Sequence, residues 1–188
     1  GTKIETFVGG ADYSATRSDL GSCTGYYLRK YINEATSFTP EAEAEYKHHW
    51  VIYRYAETLL SYAEAANELE AVPQLAYDCV KEVRDRAGIK TKDIAEYDQA
   101  SFRELVRNER GRELCFESLR KYDLIRWGIY VEEMNNYTKW AADERWTKNA
   151  KAQRAASMGS YIKPMHVVLP IPSIELGVND LLVQNPLW

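Results

Sequence analysis

From Ile52 onward the apolar positions fall at helical spacing. Ile52, Tyr55, Leu59, Tyr62, Ala66 and Leu69 recur at steps of 3, 4, 3, 4 and 3, one stripe of a helix that is expected to face a core. Ala63, Ala65 and Ala66 leave room for a neighbouring helix to come close. Pro73 stops this helix and suits the first turn of the next. The second helix runs to Gly88, with Ala76, Val80, Val83 and Ala87 on its inner face and Gly88 as a left-handed cap. Together they predict an antiparallel helical hairpin of tetratricopeptide-like size. One such unit cannot bury its own outer face, so stacking partners are expected elsewhere in the chain or outside it.

A third helix is predicted from Ser101, with Glu104 three residues on as a capping box. At 100° per residue, Leu105, Glu109, Arg112, Phe116 and Leu119 fall within about 80° of arc. Glu109 and Arg112 therefore share a face with three large apolar side chains. A lone buried charge is costly, so the two are expected to pair, and i, i+3 spacing puts them within reach. Glu113, Glu117, Arg120, Asp123 and Arg126 continue with alternating sign among Leu124, Ile125 and Trp127. This pattern predicts an internal salt-bridge network that locks the segment against the hairpin.

The flanks carry less period. Residues up to about 45 read as irregular, with 24–31 as a possible short strand. From Ile129 to Ser160 the chain reads as a long loop with one short helix. His166–Pro172 reads as extended, and its two prolines exclude a central strand. The chain is thus expected to be mainly α: a helical hairpin plus further helices and long irregular loops. The divisions are an irregular lead-in over 1–45, a helical core over 46–128 and a loop-rich C-terminal segment over 129–188.

Composition narrows the function classes. At 188 residues and 45% hydrophobic content the chain can bury one core. A net charge of −4 argues against a nucleic-acid surface, which needs a basic face. Three cysteines without CxxC spacing give neither a disulfide framework nor a zinc knuckle. Cys79 and Cys115 read as small buried hydrophobes. Leu20-Gly21-Ser22-Cys23 looks like a lipobox, but Arg17 and Asp19 stand where an apolar stretch is required, so Cys23 reads as a loop cysteine. No signal peptide or transmembrane run is visible, so either the protein is cytoplasmic or its targeting region is expected outside this sequence.

Candidate chemistry is sparse. Glycosidases need two carboxylates facing each other across a sugar, roughly 5–10 Å apart. Here the acids are interleaved with Arg110, Arg112 and Arg120, and arginine pairing favours an ionised carboxylate over a general acid. His48 and His49 are adjacent and His166 is distant, so no metal-ligand spacing exists. No nucleophile elbow or phosphate loop is present, and no cofactor, metal or catalytic residue is expected. What remains is a binding surface. Tyr137, Trp140 and Trp146 lie among Asn, Asp and Lys, and flat rings with polar neighbours suit sugar faces. These three are the candidate ligand-binding residues. Trp50, Trp127 and Trp188 read as core.

The ordered set of segments carries a family resemblance. Arg54-Tyr55-Ala56-Glu57-Thr58-Leu59-Leu60 followed by Tyr62-Ala63-Glu64-Ala65-Ala66-Asn67-Glu68 resembles the corresponding helix of SusD/RagB proteins. So do Val83-Arg84-Asp85-Arg86-Ala87-Gly88, the run from Asn108 to Glu117, the run from Arg120 to Gly128, Leu169-Pro170-Ile171-Pro172 and Gln184-Asn185-Pro186. Lys81, Ser118 and Leu187 depart from the family pattern, where Asn, Gly and Gly are usual. The resemblance implies a non-enzymatic surface lipoprotein of the bacterial outer membrane, as in Bacteroidetes. Such a protein captures oligosaccharides or other nutrients for a TonB-dependent SusC-like transporter. It also implies that this chain corresponds to the C-terminal portion of a longer protein, that the shared motifs are scaffold, and that ligand contacts lie in variable loops. The alternative is a helical protein–protein interaction fragment that touches no sugar.

Overall fold

A computed structural model describes residue 30 and residues 51–141 and 157–188. Among the described residues the chain is helical and no strand is present. The possible strand at 24–31 and Trp50, His48 and His49 lie outside them, Lys30 apart. Two compact units emerge, one of residues 49–126 and one that includes residues 127–188.

In the first unit, α1 spans Tyr55–Leu69 and α2 spans Gln74–Arg86. Pro73 holds the extended entry to α2. At the far end Gly88 sits at φ 72°, its N–H bonds the Asp85 carbonyl, and the Ile89 N–H reaches back to Arg84. This paired closure satisfies carbonyls that a helix end otherwise leaves open. Gly88→Ala is expected to cost about 1 kcal/mol, because an L side chain resists that φ. Chemical denaturation checks it, and an unchanged midpoint would mean that another residue ends the helix.

α3 spans Gln99–Glu113 and crosses both arms of the hairpin. Its cap lies one turn earlier than the sequence predicts. Asp98 accepts from the Ser101 N–H at 2.8 Å, and Ser101 Oγ accepts from the Asp98 N–H at 3.0 Å. Ser101 is therefore the third helical residue, not the cap. The core joins Leu59, Leu60 and Ala63 of α1, Ala76, Tyr77, Cys79, Val80 and Val83 of α2, and Phe102 and Val106 of α3.

The 3–4 stripe of α1 turns inward only in part: Leu59 is buried and Ala66 packs against the core. Leu59, Leu60, Ala63 and Asn67 are buried, whereas Tyr55 is 66% and Leu69 91% exposed, with Ile52 and Tyr62 also outward. Two contacts set this rotation. Asn67 donates to the Gln99 carbonyl at 3.0 Å and accepts from the Val72 N–H at 3.1 Å, which draws that side of α1 onto α3. Ala63, fully buried, lets the helices approach closely there.

α3 also ends before the predicted stripe is complete. Leu114 closes it, and residues 114–118 form a turn before α4, Arg120–Arg126. Phe116 leaves the helical face and is exposed, and so is Cys115, which the sequence places in the core. Cys79 is buried as its surroundings require.

In the second unit α5 spans Tyr130–Ala141, within the stretch predicted as a long loop with one short helix, and lies against a 3-10 turn over Pro164–Val167. His166 and Val167 are thus in that turn, begun by Pro164, and the extended stretch starts at Val168. A short helix, α6, follows over Ser173–Val178. The extended stretch is held by side chains. Gln184 donates to the Ile171 carbonyl at 3.0 Å and accepts its N–H at 2.8 Å, and Asn185 donates to the Leu169 carbonyl at 2.7 Å. Trp188, predicted to be core, is partly exposed. Its indole N–H donates to the Val168 carbonyl at 3.1 Å, and its ring leans on His166.

Candidate functional site

The first unit carries a cluster of charged side chains where α1, α2, α3 and α4 converge. Glu109, in the second half of α3, has a side chain only 2% exposed. Arg84 of α2 donates Nη1 to Glu109 Oε2 at 2.6 Å and anchors its remaining donors on Thr91 and the Lys90 carbonyl. Arg112, the partner that i, i+3 spacing predicts, does pair with Glu109, at 3.6 Å and from a largely solvated position, so the closer and more buried contact is that of Arg84. Arg84 lies four residues after the buried Val80, on the side of α2 turned to the core.

Glu113 and Glu117 share one guanidinium. Arg54 donates Nη1 to Glu113 Oε1 at 2.5 Å and Nε to Glu117 Oε2 at 2.8 Å. Arg86 adds two bonds to Glu113, each 2.7 Å. Arg54 is held above its ordinary pKa, first by Glu117 and then, against the opposing effect of burial, by Glu113. Arg110 grips both oxygens of Asp123 at 2.9 Å and bonds Ser61. Arg126 pairs with Glu64 and reaches Asp123 at 3.0 Å, and Glu64 raises its pKa further. Arg120 lies across Gly111 and donates to the Arg107 carbonyl at 3.0 Å.

The structure thus brings together Glu109, Glu113, Glu117, Asp123 and Arg126 with partners that sequence reasoning missed: Arg54, Glu64, Arg84, Arg86 and Arg110. The available signal was position. Arg84 and Arg110 each follow a buried valine by four residues, Val80 and Val106, so each guanidinium enters the core side and needs a carboxylate there.

At the edge of the cluster the charges are exposed and titrate. Asp98 is held below its ordinary value by the Ser101 hydroxyl and N–H, and Glu68 chiefly by Arg103, bonded at 2.5 and 2.7 Å. A depressed folded pKa contributes stability above the unfolded carboxylate pKa and loses it as pH falls through the folded value. The melting temperature is expected to fall below about pH 4. The acid slope should be shallower in Asp98→Asn, which keeps an acceptor that does not titrate. Equal acid slopes in the two proteins would show that the cap contributes nothing to acid sensitivity.

The candidate ligand residues fare differently. Tyr137 and Trp140 lie three apart in α5, not in a loop, and Tyr137 is exposed. The side chain of Trp140, and Trp146 altogether, lie outside the described residues. Among the described residues, no His, Cys, Asp and Glu group is arranged to hold a metal ion. No helix of the described residues is long and apolar enough to cross a membrane.

Comparison with known proteins places this architecture. A SusD-like protein of Formosa agariphila is 36% identical over 137 residues, which is 72% of this chain and 23% of the relative. A crystal structure of a SusD homolog from Bacteroides thetaiotaomicron matches with a TM-score of 0.64 at 35% identity, over 74% of this chain and 27% of that one. The chain therefore spans about a quarter of the length of these relatives. The model of the SusD family matches residues 5–188, nearly the whole sequence. With its helical order and its sequence both matching, the chain belongs to the SusD family.

Proposed function

We propose that this chain is the C-terminal domain of a non-catalytic capture protein. It binds oligosaccharides or other nutrients at the bacterial outer membrane and delivers them to a TonB-dependent SusC-like transporter. The observation that carries this reading is family membership over residues 5–188. The geometry supports it in one respect. Glu109, Glu113 and Glu117 are engaged by Arg84, Arg54 and Arg86 in a packed interior, where a sugar cannot lie between two of them. Attachment is through a lipid anchor on the outer face of the membrane.

Tyr137, Trp140 and Trp146 are proposed as sugar-stacking residues. Positions 137 and 140 stand three residues apart in α5, a spacing that sets neighbouring positions on one helical surface, which supports the reading. Replacing all three by alanine is expected to weaken binding of the recognised glycan at least about tenfold, the loss of one or two aromatic anchors. Affinity electrophoresis in polysaccharide gels measures this directly. Unaltered mobility of the triple variant in a gel that retards the wild type would place the sugar elsewhere.

One observation favours the second reading, a helix-docking fragment that binds no sugar. Tyr55, Tyr62 and Leu69 repeat every seven residues along the outer face of α1 and are exposed. A helix that is apolar on two faces belongs inside a larger layer. We propose that further helices of a longer polypeptide cover this face in tetratricopeptide-like stacking. A photo-crosslinker at position 62 of that longer protein should then bond within the same polypeptide. Crosslinks to a different protein, together with no retardation in any glycan gel, would favour the docking fragment.

A further inference from the structure

The turn between α3 and α4 is strained at two places. Phe116 at φ 63° and Ser118 at φ 64° occupy the left-handed region, and neither is glycine. Each Cβ crowds the adjacent carbonyl oxygen there, so surrounding contacts must offset the cost. Phe116 is itself 61% exposed.

Between the two strained residues lies Glu117, with its side chain buried and its N–H bonded to the Leu114 carbonyl at 3.1 Å. Arg54, 63 residues earlier, embraces its carboxylate through Nε at 2.8 and 3.1 Å and through Nη2 at 2.9 Å. The same guanidinium bonds the Glu113 carbonyl at 2.6 Å, at the point where α3 ends. Arg54 is also the extended residue that leads into α1. One planar fork therefore joins the entry of α1 to the Glu113 carbonyl at the end of α3 and to the centre of the strained turn. Arginine suits this place because its donors are fixed in one plane, whereas a lysine ammonium offers a single point of charge.

We propose that Arg54 is a strap that holds the turn of residues 114–118 with Phe116 and Ser118 in the left-handed region, so that the turn is a spring-loaded local unit which opens when the strap is released. The opening is sub-global: the turn can come undone while the core of α1, α2 and α3 stays packed.

Native-state hydrogen exchange tests this. In Arg54→Lys the Glu117 amide is expected to exchange about tenfold faster than any change at the core amides of Leu60 and Val80 accounts for. Ser118→Gly, by removing the strain, should slow the Glu117 amide roughly threefold in the wild type and recover part of the loss in Arg54→Lys. If Arg54→Lys does not fold, Glu117→Gln takes its place, with the shape kept and the charge-assisted bonds weakened. The strap is overturned if Glu117 merely follows Leu60 and Val80 in the weakened variant. It is equally overturned if Ser118→Gly leaves the Glu117 amide unchanged or speeds it.

Discussion

Replacing Glu109 by alanine is expected to destabilise the protein by about 3–5 kcal/mol, the range for stranding one partner of a buried ion pair. The reasoning rests on what stays behind. Arg84 has a side chain that is nearly buried, and its Nη1 points at the vacated carboxylate. Its other donors remain on Thr91 and Lys90, so it cannot swing out to water without breaking those bonds as well. Arg112 is largely solvated and cannot take over the compensation in reverse. Urea denaturation with an unchanged m-value reads the loss directly. A second variant separates charge from volume. Glu109→Leu combined with Arg84→Met should recover most of the stability, because well-packed apolar pairs replace buried ion pairs at little cost. A loss below about 1 kcal/mol in Glu109→Ala would mean that water reaches this site and that the pair is not internal.

Phe102→Ala is expected to cost a similar 3–5 kcal/mol, through a cavity and not through charge. Phe102 is fully buried on the inner face of α3, and Tyr97 meets its ring edge-on at 5.9 Å between centroids and 71° between planes. The size of the loss depends on whether the neighbours can fill the space. Here α3 is pinned at its start by the two Asn67–Gln99 bonds, on its flank by Arg103–Glu68 and near its end by Arg110–Asp123. A helix held at three places cannot settle into the gap, so most of the cavity should persist. Calorimetry should show a melting temperature lowered by roughly 6–20 °C for a chain of this size. A fall of under about 2 °C would mean that the hairpin collapses around the smaller side chain.

Sequence periodicity alone located the α1–α2 hairpin, its break at Pro73 and its left-handed close at Gly88. These depend on neighbours within a few residues, and local chemistry decides them. The ordered motifs from Arg54 to Pro186 also carried the family. The acidic and basic residues of α3 and α4 were legible as charges that needed partners, because they fall among apolar positions. The local pair Glu109–Arg112 was legible from its spacing, but the long-range partners were not. Arg54 and Arg84 reach Glu117 and Glu109 across 63 and 25 residues, and no local rule ranks such pairings.

The face of α1 and the end of α3 belong to the same class. α1 carries two apolar stripes, Leu59–Leu60–Ala63 and Tyr55–Tyr62–Leu69, and a period of 3.6 fits both. Only the buried Asn67 amide and the close approach at Ala63 chose between them. α3 could have continued through Phe116 by pattern, yet the Arg54 fork on Glu113 and Glu117 accompanies a turn that local preference disfavours. What the sequence determined by itself were the helices and their family, since backbone propensity and caps act over a few residues. What only the tertiary structure decided were helix rotation, helix termination and ion-pair choice, because each depends on groups that meet only when distant segments pack.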